Sequence, residues 1–347
     1  MKEKKVTTFQ VAGTYIGTIV GAGFASGQEM LQFFVRFGKM GLWGLFVVTL
    51  LFIYFGYVIM ELGWKLKATS HLPIVTEVGG RILGRFSDAV ITFFLFGALT
   101  AMIAGSGALF AQEFHINPLI GSLFMAFISI LTVMGGFNGI INSISIVVPF
   151  LILSAIVVSI ASLLSAPPET EIVVSLPKPG LLRNWLWSAI LYTSYNTVTS
   201  IAILGPLGDK ARDKKIIRKG AILGGLGLGI GALAIFIALY VNVDAIKNAE
   251  VPMILVARHI SPFVQIIYAV VLLAEIYTTA VGDLYGFAAR IGNMNSKHAP
   301  QVILVSTLAA FLASLAGFSN LVRYLYPAVG YCGVITLICL IYHRYKI

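Results

Sequence analysis

Charge is what this sequence has least of. Of 347 residues, 24 are Lys or Arg and 14 are Asp or Glu, 11% in all, where water-soluble domains carry about a quarter. Together with 58% hydrophobic residues and a mean hydropathy of +0.93, this shortage excludes a soluble globular domain and implies a polytopic membrane protein. Cysteine is almost missing. Cys332 and Cys339 fall one heptad apart on a single span, so neither a disulfide framework nor a thiolate metal site follows. His71, His115, His259, His298 and His343 sit in loops or at span ends without ligand spacing and read as surface residues, so no metal is assigned. No nucleophile, base and orienting group occur together in a recognisable motif, which argues against an enzyme.

What the chain has instead is long apolar runs. Stretches of the length that spans a hydrocarbon core occur at roughly 7 to 35, 41 to 64, 87 to 112, 118 to 135, 141 to 164, 184 to 204, 217 to 241, 262 to 289, 300 to 317 and 322 to 343. The expected fold class is therefore all-α, with ten transmembrane helices in one domain and little left for anything else. The formal net charge of +10 marks the cytoplasmic side rather than a nucleic-acid surface, because basic residues stay inside during insertion. With the N-terminus inside, 17 of the 24 Lys and Arg become cytoplasmic, from Lys2, Lys4 and Lys5 through the Lys210–Lys219 cluster to Arg344 and Lys346. Both termini are expected in the cytoplasm of a cell bounded by this membrane. The first span lacks a small-residue cleavage site and is followed by more spans, so it does not read as a removable signal.

The first span carries too many glycines for one continuous helix: Gly13, Gly17, Gly21, Gly23 and Gly27. Unpaired backbone groups in hydrocarbon cost several kcal/mol each, so such a break persists only where a cavity, ligand or ion satisfies it. A half-helix starting after the break points N–H groups into the cavity and favours a carboxylate at Gly21, Ala22 and Gly23. The alternative is that these glycines only permit close helix packing. The sixth span is interrupted in turn by Tyr192, Thr193, Ser194, Tyr195, Asn196, Thr197, Thr199 and Ser200. Tyr192 and Tyr195 offer ring faces and hydroxyls to a substrate, and Ser194, Asn196 and Thr197 offer neutral donors and acceptors. With no charge in that stretch, a zwitterion or small neutral amino acid fits better than a dibasic one. Ser106, between Gly105 and Gly107, leaves room for a ligand or for close packing.

Breaks in the first and sixth spans suggest two inverted five-helix repeats, at about 7–164 and 184–343, since five spans per half reverse the second half's orientation. Leu72-Pro73-Ile-Val and Val251-Pro252-Met-Ile occupy equivalent loops and read as equivalent helix starts. In the eighth span Glu275, Thr278, Thr279, Gly282 and Asp283 form one polar stripe. A carboxylate near mid-membrane costs at least about 2.5 kcal/mol, so Glu275 must pair with a base, bind a cation or hold a proton. Gln28, Glu29, Gln32 and Arg36 continue the first helix outward, where Glu29, Gln32 and Arg36 share one face. They suggest a gate, with Arg323 as a partner for Glu29, or simple interfacial solvation. Asp283 joins this pathway set. The run Gly225-x-Gly227-x-Gly229-x-Gly231 has no polar neighbours and reads as a packing or flexing surface.

The order of spans, the two breaks and the Gly-rich centre of the first resemble the amino acid–polyamine–organocation superfamily, with its leucine-transporter fold. The stretch from Gly21 to Glu29 resembles the YkvI-like bacterial membrane proteins. The resemblance implies amino and carboxylate groups of a substrate bound at unwound backbone of helices one and six. It also implies sodium between helices one and eight, held by the carbonyls of Gly17 and Val20 and the hydroxyls of Thr278 and Thr279. Glu275 departs from that pattern, which leaves sodium or a proton as the coupling ion. The expected activity is cation-coupled transport of a small amino acid or related solute by alternating access, with no other cofactor. A nutrient or germinant receptor subunit using the same fold is the alternative, and a channel comes third because no charge ring or carbonyl filter repeat is present.

Overall fold

A computed structural model describes residues 6–135, 138–165, 180–294 and 296–346, and Lys2, Lys4 and Lys5 lie outside them. Helices follow one another in the order α1 (Thr8–Ile19), α2 (Ala22–Ala25), α3 (Gln28–Phe33), α4 (Met40–Leu66), α5 (His71–Phe114), α6 (Pro118–Met134) and α7 (Asn138–Ser165). The second part of the chain continues with α8 (Trp185–Asp209), α9 (Lys214–Val241), α10 (Val243–Ile246), α11 (Pro252–Ile260), α12 (Pro262–Ile291), α13 (Ala299–Ser314) and α14 (Phe318–Lys346). Local sequence explains where many of them start. Thr7 and Gln10 form a capping box on α1, and Asn117, Asn184, Asp213 and Ser261 accept backbone N–H groups at the starts of α6, α8, α9 and α12. Pro118, Pro252 and Pro262 occupy first turns, where the missing N–H costs nothing.

Helices α4, α5, α9, α12 and α14 are each long and apolar enough to cross a membrane, and Pro118–Met134, Leu153–Ser165 and Ala299–Ser314 are shorter apolar helices. Trp43, Phe46, Phe127, Ile266, Val270 and Ile338 are each more than half exposed. Large apolar side chains covering an outer surface in this way are stable against lipid rather than water. Inside, glycine sets the helix spacing. A Cβ on Gly63 of α4 would strike the Gly205 carbonyl of α8, and one on Gly208 would strike the Met60 backbone. Tyr15 of α1 lies over Gly224 of α9 and Gly56 of α4, and its hydroxyl donates to Phe52 O at 2.7 Å. Gly225, Gly227 and Gly229 receive Ile53, Ile16 and Thr49, so the α9 glycine run is a packing groove.

The two ends of the bundle are tied differently. At one end Val6 N–H donates to Lys210 O at 3.3 Å, and Glu61 at the end of α4 pairs with Lys214 of α9 at 3.0 Å and with Arg344 of α14. At the other end the connection before α11 grips α2 and α3: Met253 N–H donates to Ser26 O at 3.0 Å, and Gln28 Nε2 donates to Ala249 O and Glu250 O, both at 3.2 Å. Gln112 of α5 exchanges two hydrogen bonds with Val251, and Glu250 accepts from Ser319 N–H at 2.7 Å.

Four sequence expectations are corrected. The sixth span does not break: Trp185–Asp209 is one α-helix. Several of its polar side chains find partners without opening the backbone, Asn196 Nδ2 donating to Tyr192 O and Thr199 Oγ1 to Tyr195 O, both at 3.0 Å, while Thr193 Oγ1 is buried without a hydrogen-bond partner among the described residues. Ser188 and Ser194 donate to Phe33 O at 2.6 Å and Gly330 O at 2.7 Å on neighbouring segments. Second, the helix beyond the first break is not continuous. Gly27 turns the chain at φ 80°, and a Cβ there would meet Met253 and Leu239. Third, α3 ends at Phe33 and Arg36 lies in a separate 3-10 turn, Val35–Phe37, so Arg36 does not share a continuous helical face with Glu29. Fourth, His71 is 8% exposed rather than on the surface. It is 2.9 Å from Asp88, which also pairs with Arg290 of α12.

Candidate functional site

The hydrogen-bond ladder of α1 closes with Val20 N–H on Ile16 O at 2.8 Å, and Val20 and Gly21 are both extended before α2 resumes at Ala22. A helix end leaves up to four carbonyls, and the next helix start four N–H groups, without intrahelical partners. Both ends here are buried: Val20 is 3% exposed and Ala22 and Phe24 are 0% and 2%. The sequence has glycine at this point, and once the chain opens there a segment of Gly, Ala, Ile and Val has no polar side chain with which to cap its own ends.

Two carboxylates flank the opening. Glu29 of α3, 4% exposed, folds back until its carboxylate fills the space that a Cβ on Gly23 would need. Its Oε2 accepts from Tyr195 Oη at 2.6 Å and Tyr192 Oη at 3.1 Å. On the other side Thr279 of α12 stands beside Gly21, and its Oγ1 donates to Glu275 Oε1 at 3.4 Å. Glu275 is 2% exposed, and its Oε2 has no hydrogen-bond partner among the described residues. Thr278 donates to the backbone carbonyl of Glu275 at 3.1 Å. Two turns further along α12, Asp283 Oδ2 is another buried acceptor without a hydrogen-bond partner among the described residues.

Aromatic rings gather around the two tyrosines that hold Glu29. Tyr192 and Tyr195 meet edge to face at 5.4 Å between centroids, Phe33 lies 5.3 Å from Tyr192, and Tyr326 of α14 lies 5.2 Å from Tyr195. Phe94 of α5 closes on Tyr195 at 5.9 Å. Tyr268 of α12 donates to Ala25 O at 2.5 Å, fixing the end of α2. No spacing in the sequence singles out Phe33, Phe94, Tyr268 or Tyr326, since isolated aromatics in apolar helices look like core.

Of the sequence candidates, the structure brings together Gly21, Ala22, Gly23, Glu29, Tyr192, Tyr195, Glu275 and Thr279. Others go elsewhere. Ser106 Oγ donates to Gly121 O at 3.0 Å, and Gly107 packs on Pro118 and Ser122, so this part of α5 serves contact with α6. Ser194 and Asn196 spend their donors on Gly330 and Tyr192 carbonyls, and Thr197 accepts from Ser200 through its carbonyl at 2.9 Å. Arg323 does not pair with Glu29. Its guanidinium lies over the Tyr324 ring at 5.4 Å.

No family model matches the chain. It is 29% identical over 331 residues to the uncharacterized membrane protein YkvI of Bacillus subtilis strain 168, covering 95% of this chain and 94% of the relative. It is 28% identical over 329 residues to the uncharacterized protein YyaD of the same organism, 94% of each being covered. Among solved structures, it is similar to a Na+-coupled sialic acid symporter in a substrate-bound outward-open state, with a TM-score of 0.60 and 15% identity over 89% of this chain and 74% of that one. It is also similar to inward-facing Mhp1, with a TM-score of 0.58 and 11% identity over 95% of this chain and 76% of that one. At such identities the likeness shows the fold: an all-helical, multi-pass membrane protein built like transporters of the leucine-transporter type.

Proposed function

We propose that this protein is a secondary active carrier, a symporter coupling sodium or proton entry to movement of a small amino acid or related organic solute by alternating access. The observation that carries this reading is the opened backbone at Val20–Gly21, flanked by a buried carboxylate on each side. Glu275 Oε2, Thr278 and Thr279 offer the oxygen donors that hard cations prefer, and an unpartnered buried carboxylate atom beside them suits a sodium ion or a proton. When bound, such a cation supplies the positive charge that Glu275 lacks. The carbonyls of Gly17 and Val20 complete the candidate ion set, and Gly21, Ala22, Gly23, Tyr192 and Tyr195 form the candidate substrate set. Arg36, Arg323 and Asp283 are proposed for the pathway.

The chain is further read as ten spans in a 5+5 inverted repeat of the amino acid–polyamine–organocation type, set in a bacterial-type plasma membrane with both termini cytoplasmic. Supporting the repeat, α5 begins with a short helical segment that ends in a kink at Gly80, where φ is 72°, before its long run. In the same way, the short α11 precedes α12 across the extended Ser261. Supporting the orientation, the Lys210 loop, the start of α9 and the ends of α4 and α14 meet at one end of the bundle.

The test is uptake of labelled amino acids and amines into proteoliposomes holding only this protein, with sodium and proton gradients imposed separately. Accumulation under one gradient is the expected outcome and identifies the ion. Silence under both, with ligand binding retained, would replace the carrier by a receptor.

A further inference from the structure

The opening in the first span was expected to offer bare amides to a substrate carboxylate, yet the protein's own carboxylate is there. Glu29 Oε1, Cδ and Cγ occupy the volume next to Gly23 that any side chain would fill. A second carboxylate brought to the same place would meet a like charge in a site of low polarity, where Coulomb repulsion is screened least. Charge matching points the same way. Glu29 and Glu275 are both buried, and neither takes part in an ion pair among the described residues. Among the described residues their side-chain hydrogen bonds come from hydroxyls: Tyr192 and Tyr195 for Glu29, Thr279 for Glu275. A buried carboxylate must meet a cation or hold a proton, and a single coupling ion at Glu275 answers only one of the two. The surroundings of Glu29 are also those of a cation site. Tyr192 and Tyr195, whose hydroxyls reach it, stand in one cluster of rings with Phe33, Phe94 and Tyr326, and aromatic faces attract ammonium groups strongly when water is excluded.

We propose that Glu29, held by Tyr192 and Tyr195, receives the ammonium group of the solute, so that the site selects organic amines and does not require a substrate carboxylate. This rests on the carrier reading and replaces the preference for a neutral zwitterion drawn from the sixth span alone. In that arrangement each carboxylate meets one cation: the solute at Glu29 and the coupling ion at Glu275. Glycine at 23 is then a requirement of selectivity, since it makes the space in which the carboxylate lies.

Matched series of ligands test it on the full chain in lipid nanodiscs: alanine, ethylamine and propionate; leucine, 3-methylbutylamine and 4-methylpentanoate; phenylalanine, 2-phenylethylamine and 3-phenylpropionate. Binding is read by thermal unfolding and uptake is followed in parallel in proteoliposomes. In at least one series the amine should protect as well as the amino acid while the carboxylate does nothing. Glu29→Gln should weaken the amine about tenfold or more, as loss of one partner of a buried charge pair does. Protection by a carboxylate, protection by an amino acid whose amine is inert, no protection by any amine, or unchanged amine affinity in Glu29→Gln would each overturn the proposal. If Glu29→Gln does not fold, the series on the unaltered protein decides. Amine binding without uptake removes the carrier reading and leaves amine recognition standing. Uptake of an amino acid whose amine is inert does the reverse.

Discussion

Two polar interruptions of apolar helices meet at the centre of this protein, the glycine-rich stretch of α1–α2 and the hydroxyl- and amide-rich stretch of α8, and they answer the same problem in opposite ways. In α8 the chain remains helical for 25 residues, with Ser194, Asn196 and Thr199 bonded to carbonyls one turn back or on an adjacent segment. In α1 the ladder stops at Val20. Side-chain donors that reach carbonyls one turn back leave the α8 ladder intact, whereas the opened α1–α2 backbone exposes groups that must find their partners outside the segment. The difference assigns the roles. The closed helix presents Tyr192 and Tyr195 as fixed donors, and the open segment supplies backbone and space.

That contrast can be broken most severely at Glu275. Replacement by Gln keeps the shape and removes the charge, and gradient-driven accumulation should vanish while exchange or binding persists; full accumulation by the variant would refute its coupling role. Next comes Gly23→Ala, whose new Cβ collides with the Glu29 carboxylate. Because the colliding atoms belong to a flexible side-chain end, the fold should lose only about 1 kcal/mol, while ligand affinity drops about tenfold or more. Titration of the variant with the amine series measures this directly. Tyr195→Phe removes the shorter of the two hydrogen bonds to Glu29 and should destabilise the protein by about 1–3 kcal/mol, as loss of a bond to a buried charged group does, read from unfolding midpoints in detergent. Gly21→Ala should change least: the nearest atom to its Cβ is Thr279 Oγ1 at 3.9 Å, so a shift in affinity beyond about threefold, roughly 0.7 kcal/mol, would mean that the break tolerates no side chain at all.

Much of this was legible in the amino-acid order. The break near Gly21, the polar stripe from Glu275 to Asp283 and the pair Tyr192 and Tyr195 could be picked out because polarity or glycine is rare in apolar spans and must have a reason. The partnership of Glu29 was not. The chain seemed to run on as one helix through Arg36, which would have carried Glu29 away from the break. Only the turn at Gly27, where φ is 80° and Met253 and Leu239 leave no room for a side chain, folds the carboxylate back over Gly23. The supposed break in α8 failed for a related reason, since a list of polar residues does not reveal which atoms already have acceptors within one turn. Ser106 misled similarly, its hydroxyl being spent on Gly121 O.

The sequence by itself determined that the protein is a helical membrane protein, and it marked the first span near Gly21 as a point of interruption, because hydropathy and local glycine content need no neighbours. Tertiary structure alone decided which carboxylate meets which hydroxyl. Glu29 and the tyrosines are separated by more than 160 residues, and contacts at that range depend on how closely glycine-lined helices approach one another, which no local pattern records.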